Sequence, residues 1–119
     1  MAHFTVIGLG RFGVAVSREL IHLGHTVTGV DNDHKAVEKY VESLTEAVIC
    51  DCADEASLRE LDLASSEVVI VAIGFDMQSS LLCTLALKNL GVQNIWVKAS
   101  NKAHHTILSK LDVTRIIHP

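Results

Sequence analysis

HFTVIGLGRFG, residues 3–13, decides the fold. His3 to Gly8 carries Phe, Thr, Val and Ile, side chains that favour a buried strand. Arg11 to Leu23 places Phe12, Val16, Leu20 and Leu23 on one face at helical spacing. Between the two runs stands Gly8-Leu9-Gly10-Arg11-Phe12-Gly13, a G-x-G-x-x-G where a strand turns into a helix. In that setting Gly8 permits the tight turn and Gly10 lets the backbone approach a pyrophosphate. Gly13 lets the helix pack close to the strands. The helix N-terminus then offers free N–H groups and a partial positive charge to phosphates.

Outward from this stretch the chain alternates strand and helix signals. Gly24 ends the first helix, and His25 to Asp31 reads as strand two. Asp31 stands eighteen positions beyond Gly13. An acid there accepts hydrogen bonds from ribose hydroxyls and repels a 2′-phosphate, which disfavours NADP. Asp33 is placed to cap a helix through about Ser43, and Ala47 to Cys50 is strand three. Asp54 is placed to cap a short helix, Glu55 to Leu61, before strand four, Glu67 to Ile73. Helix four, Met77 to Leu90, ends at Gly91. Strand five is Asn94 to Lys98, helix five Lys102 to Leu111, and strand six Thr114 to Ile117. Such alternation makes right-handed βαβ units. The expectation is an α/β, three-layer Rossmann fold with a six-stranded parallel sheet of order 3-2-1-4-5-6. One domain spans residues 1–119.

Composition agrees. Apolar residues make up 49% and aromatics 4% of the 119, so the core is aliphatic, as in a sheet covered on both faces. A net charge of −4 argues against a general nucleic-acid surface, so no nucleic-acid partner is expected. Cys50, Cys52 and Cys83 are an odd number without framework spacing. They read as reduced, partly buried thiols and point to the cytoplasm. No signal peptide is read at the start, and the apolar run Val68 to Ile73 is too short to span a bilayer. The stop at His118-Pro119, directly after a strand, reads as a cut inside a longer polypeptide. The seven histidines are expected in solvated or capping positions, because His104 and His105 are neighbours on a helix that cannot share a face and His22, His25 and His34 lie at element ends. Neither a P-loop nor a Gly-x-Ser-x-Gly elbow is present, and no catalytic or metal-binding residue is assigned.

The remaining candidates surround the same crevice. Asp51 ends strand three, beside the place of an adenine, with Cys52 next to it as Asn32 is next to Asp31. Ala72, Ile73 and Gly74 follow strand four, where small residues leave room for ribose or base. Arg11 could fold over a phosphate or reach a neighbouring subunit, and Lys98 closes strand five at the carboxyl edge of the sheet. Helix four shows Met77, Leu81, Leu82, Leu85, Ala86, Leu87 and Leu90 on more than one face, which suggests a subunit contact.

Five stretches carry a family resemblance: Gly8 to Gly13, Val30-Asp31-Asn32-Asp33, Asp54 to Leu58, Ala72-Ile73-Gly74 and Asn94 to Ala99. Together they resemble the N-terminal domain of the RCK family, regulators of potassium conductance. The nearest likeness is to the cytoplasmic gating subunits of Trk/Ktr potassium-uptake systems. The resemblance implies a regulator without a catalytic step, peripheral on the inner face of the membrane. Its implied partners are a potassium-translocating membrane subunit and further copies of itself, as dimers assembled into a ring. Its implied ligand is ATP, ADP or NAD(H), with Gly8 to Gly13 on the phosphates and Asp31 on the ribose. Asp51 would take the adenine, Arg11 the terminal phosphate of ATP, and Lys98 would assist at the phosphates. Departures from the family are Ala53 in place of a common Thr and Cys50 in place of a common Gly. The family's C-terminal ligand-binding domain is expected to be absent, together with any divalent-cation site that depends on an acid after Pro119. The alternative reading is the cofactor domain of an NAD-dependent dehydrogenase without its substrate domain. No acid–base group for hydride chemistry is evident in these residues.

Overall fold

The computed structural model describes residues 1–74 and 76–118; Pro119, where the sequence reading ends, lies outside them. Six strands alternate with five helices: β1 (His3–Ile7), α1 (Arg11–His22), β2 (Thr26–Asp31), α2 (His34–Tyr40), β3 (Glu46–Ile49), α3 (Glu55–Arg59), β4 (Val68–Val71), α4 (Met77–Asn89), β5 (Ile95–Lys98), α5 (Lys102–Lys110) and β6 (Arg115–Ile117). All pairings are parallel and the order is β3-β2-β1-β4-β5-β6, as expected from the alternation.

The period-two pattern of the strands splits the core between two faces. Phe4, Val6, Val27, Val68 and Ile70 face one way, against Phe12, Val16 and Leu20 of α1. Ile7, Val30, Val69, Val71, Ile95 and Val97 are buried in a larger cluster with Leu58, Leu87 and Leu108. Leu9, Val14, Val37 and Leu44 form a third cluster between α1 and α2. Strands that are apolar on both faces are what a doubly covered parallel sheet requires.

Several local expectations change. Leu23, expected on the apolar face of α1, is its C-cap residue and is 63% exposed, because the chain turns away at Gly24. The second helix tightens after Tyr40 into a 3-10 turn, Val41–Ser43. A further 3-10 turn, Leu63–Ser65, lies before β4 and buries Leu63 in the main core. Asp33 caps α2 by accepting the Lys35 N–H at 3.0 Å. Asp54 makes no such bond and instead accepts the Ser57 hydroxyl at 2.7 Å. Strand three ends at Ile49, so Cys50 and Cys52 follow it, yet both remain buried in the main cluster.

Candidate functional site

The strand order reverses between β1 and β4, and the chain leaves each for opposite sides of the sheet. That divergence opens a crevice at the carboxyl edge, the usual ligand position in open α/β sheets. The ladder bonds run on into its walls: Gly8 N–H donates to the Val30 carbonyl, Ala72 N–H to that of Ile7, and Cys50 N–H to that of Asp31. The crevice holds about 590 Å³ of empty space, part of it open to solvent. A wider depression lies at the amino edge, between residues 58–67 and 90–94.

The three loop glycines have three different reasons. Gly8 has φ +105°, and a Cβ on it would stand 2.8 Å from the Ala72 carbonyl oxygen. A Cβ on Gly13 would run into the Gly8 carbonyl. Gly10 is different. Its φ is −84°, which any residue adopts, and a Cβ there would meet nothing within 4 Å. Neither backbone geometry nor packing calls for glycine at position 10. The space its missing side chain leaves belongs to the crevice. Gly10 is also the N-cap residue of α1 and supplies no side-chain cap, so the first N–H groups of the helix stay open.

Of the residues expected from sequence, Gly8, Gly10, Asp31, Asn32, Asp51, Cys52, Ala72, Ile73 and Gly74 line the crevice. Asp31 also holds the loop in place. Its Oδ2 accepts the Leu9 N–H at 2.8 Å and its Oδ1 accepts the Asp33 N–H at 2.8 Å. Asp51 accepts the Ala53 N–H at 3.1 Å through one oxygen. Leu9, Arg11, Phe12, Gly13 and Lys98 stand outside the wall. Leu9 is buried in the third cluster, and Gly13 is buried beneath Gly8. Arg11 is exposed, with no ion pair among the described residues. The half-buried Lys98 holds its ammonium 5.6 Å from the Phe12 ring centroid and beside Gly74, with no hydrogen bond or ion pair to a described residue. Ile7, Val30, Ala53, Asp76 and Ser79 complete the wall, and Asp76 and Ser79 were not singled out from sequence. The signal was present: an acid three positions before a serine at a helix start is a cap pattern. Ser79 donates to Asp76 through its hydroxyl at 2.6 Å and its N–H at 3.3 Å, which holds the carboxyl below its ordinary value.

The cysteines are free, and all three are buried. Burial pushes the Cys83 thiol up to about 12 and raises Cys50 and Cys52 as well, so they are uncharged at neutral pH. Among the described residues no three His, Cys, Asp or Glu side chains are grouped to hold a metal. Also among them, no helix is long and apolar enough to cross a membrane.

The TrkA-N domain family profile matches residues 4–119. The chain belongs to the TrkA-N family. This TrkA-N domain is 48% identical over 116 residues to the Ktr system potassium uptake protein A of Bacillus subtilis (strain 168), covering 98% of the chain and 52% of that protein. It therefore spans about half the length of the curated relatives it matches. Among solved structures, the NAD(P)-binding domain of an exopolyphosphatase-related protein from Archaeoglobus fulgidus superposes with a TM-score of 0.88 at 26% identity, covering 99% of this chain and 88% of that one. The GsuK channel bound to NAD matches with a TM-score of 0.84 at 15% identity, over 98% of this chain and 21% of that one, which bears on fold alone.

Proposed function

We propose that this TrkA-N domain is the nucleotide-sensing part of a regulatory subunit of a potassium-uptake system and has no catalytic step of its own. The reading is carried by Gly10, a crevice residue where neither backbone geometry nor packing calls for glycine and where a close-lying ligand would. Phosphates lie on the open N–H groups of α1, ribose hydroxyls donate to the free lone pairs of Asp31, and the adenine amine meets Asp51. Cys52, Asn32 and Ala72 to Gly74 shape the base and ribose pockets. The ligand is ATP or ADP, with NAD(H) as a further candidate. Lys98, a cation at the crevice rim without an acidic partner among the described residues, assists at the phosphates. Arg11 reaches the terminal phosphate of ATP by folding over the crevice or from a neighbouring copy.

The relationship to Ktr potassium uptake proteins supports a potassium-translocating membrane subunit as partner, with the domain on its cytoplasmic face. Leu82 and Leu85 on α4 and Ile107 on α5 are exposed apolar side chains and support self-association into dimers and a ring. Ligands then act by binding one ring geometry more tightly than another, with couplings typically about 1–3 kcal/mol.

Gly10→Ala tests the central point. Calorimetry with ATP, ADP and NADH is expected to show affinity lost for all that bind the native chain, while unfolding stability changes by less than about 1 kcal/mol. Unchanged affinity removes the nucleotide reading. Arg11→Ala is expected to weaken ATP more than ADP; equal losses remove its role at the terminal phosphate.

A further inference from the structure

His104 is fully buried, against the expectation of a solvated or capping histidine. Both ring nitrogens are committed. The Ser100 N–H donates to Nδ1 at 3.0 Å. A backbone N–H can only donate, so Nδ1 is the acceptor and the proton sits on Nε2. Nε2–H then donates to the Ser80 hydroxyl oxygen at 3.0 Å. Both partners lead to the crevice. The Ser100 hydroxyl donates to the Gly74 carbonyl at 3.0 Å, and the Ser80 N–H donates to the Asp76 carbonyl at 3.1 Å. Gly74, Asp76 and Ser79 are wall residues. One imidazole thus ties down both ends of the wall between β4 and α4.

We propose that His104 is a positioning residue. Its neutral Nε2–H form holds this wall in the ligand-binding shape, and protonation releases it, so that nucleotide affinity falls as pH drops. The proposal rests on the nucleotide reading above. Protonation would put a second N–H on Nδ1, pointing at the Ser100 N–H. That bond must break, and Ser100 would carry Gly74 with it. No acidic group among the described residues pairs with the new charge. Burial, and after it Lys98 from β5, lower the tendency of His104 to take a proton. From α4, Asp76 is engaged by Ser79. On α5 itself, Lys102 is exposed and His105 is paired with His118 at the end of β6 at 2.9 Å; Arg115 of β6 lies over Trp96.

The test follows the His104 ring nitrogens by NMR in the purified chain from about pH 8 to about pH 5, with the amides of Gly74, Asp76, Ser79 and Ser100. The expected result is an Nε2–H ring at high pH and four amides that shift with the midpoint of His104. An Nδ1–H ring, no titration by pH 5, or amides that stay in place while His104 titrates each overturn the proposal. Calorimetry with NAD and ADP supplies the binding arm; the pyrophosphate of NAD keeps its charge in this range, whereas a terminal phosphate titrates near about pH 6. Native affinity for NAD is expected to fall at least about threefold between about pH 7.5 and 5.5, and His104→Gln to bind without that dependence. Equal pH dependence in both overturns the proposal. Ser100→Ala changes an exposed residue and severs only the Gly74 link. It is expected to weaken binding at the higher pH, and native affinity there would likewise overturn the proposal. If the amides shift together but neither nucleotide binds at about pH 8, the wall coupling stands and the nucleotide reading fails.

Discussion

Gly13 and Asp31 both hold the glycine loop in place. Adding a methyl group at Gly13 forces it against the Gly8 carbonyl, and overpacking of this kind typically costs about 1–3 kcal/mol. Gly13→Ala is therefore expected to lower the urea midpoint of unfolding without ligand, in contrast to Gly10→Ala. Beyond its proposed place on the ribose, Asp31 has a structural role, because its Oδ2 satisfies the N–H of the buried Leu9. Asp31→Ala removes the acceptor of that part-buried N–H, a loss of about 1–3 kcal/mol. A urea melt of the ligand-free variant should show it, and an unchanged midpoint would mean that the Asp31–Leu9 bond contributes little. The glycine spacing and the acid were both legible in the sequence. The hydrogen bond that joins them was not, since it links positions on two different strands’ ends.

Among the helices, α2, α4 and α5 carry a side-chain N-cap, whereas α1 and α3 do not. Asp33, Asp76 and Asn101 each accept a helix N–H, from Lys35, Ser79 and His104, whereas α1 begins at Gly10 with no side-chain cap. Asn101→Ala is expected to destabilise the domain by about 1 kcal/mol in a thermal melt. The Asp76 carboxyl is held below its ordinary value by the Ser79 hydroxyl and N–H. Its contribution is present above the unfolded carboxyl value and lost as pH falls through the depressed folded one. Asp76→Asn should flatten that acid limb of the stability curve. On α4, Leu81 packs against the main core while Leu82 and Leu85 are exposed. Leu81→Asp is expected to unfold the domain. Leu82→Asp and Leu85→Asp should change stability by less than about 0.5 kcal/mol and shift the mass in light scattering towards monomer. The sequence displayed the excess of leucines on this helix, but which of them face outward depended on how it seats on the sheet.

At the scale of the whole molecule, six parallel strands bring Gly8, Asp31, Asp51 and Gly74 to one edge, although they are far apart in the chain. The same assembly buries His104 and lowers its proton affinity by burial and by Lys98. Its neutral form stabilises the fold fully above the ordinary histidine value of 6.5. That stability is lost as pH falls from there through the lower folded value. The urea midpoint should therefore drop between about pH 7 and pH 5 in the native chain and stay level in His104→Gln. Element order, sheet order and most of the crevice were legible in the sequence because they follow from local signals. Strand and helix periodicities, a glycine spacing and an acid at a strand end are set by neighbouring residues alone. The exposure of Leu23, the buried turn at Leu63, the place of the Asp76–Ser79 cap in the crevice wall and the burial of His104 were decided only by tertiary structure. Each depends on which groups meet across the fold: the imidazole of His104 finds Ser80 from another helix, and no local pattern encodes that encounter.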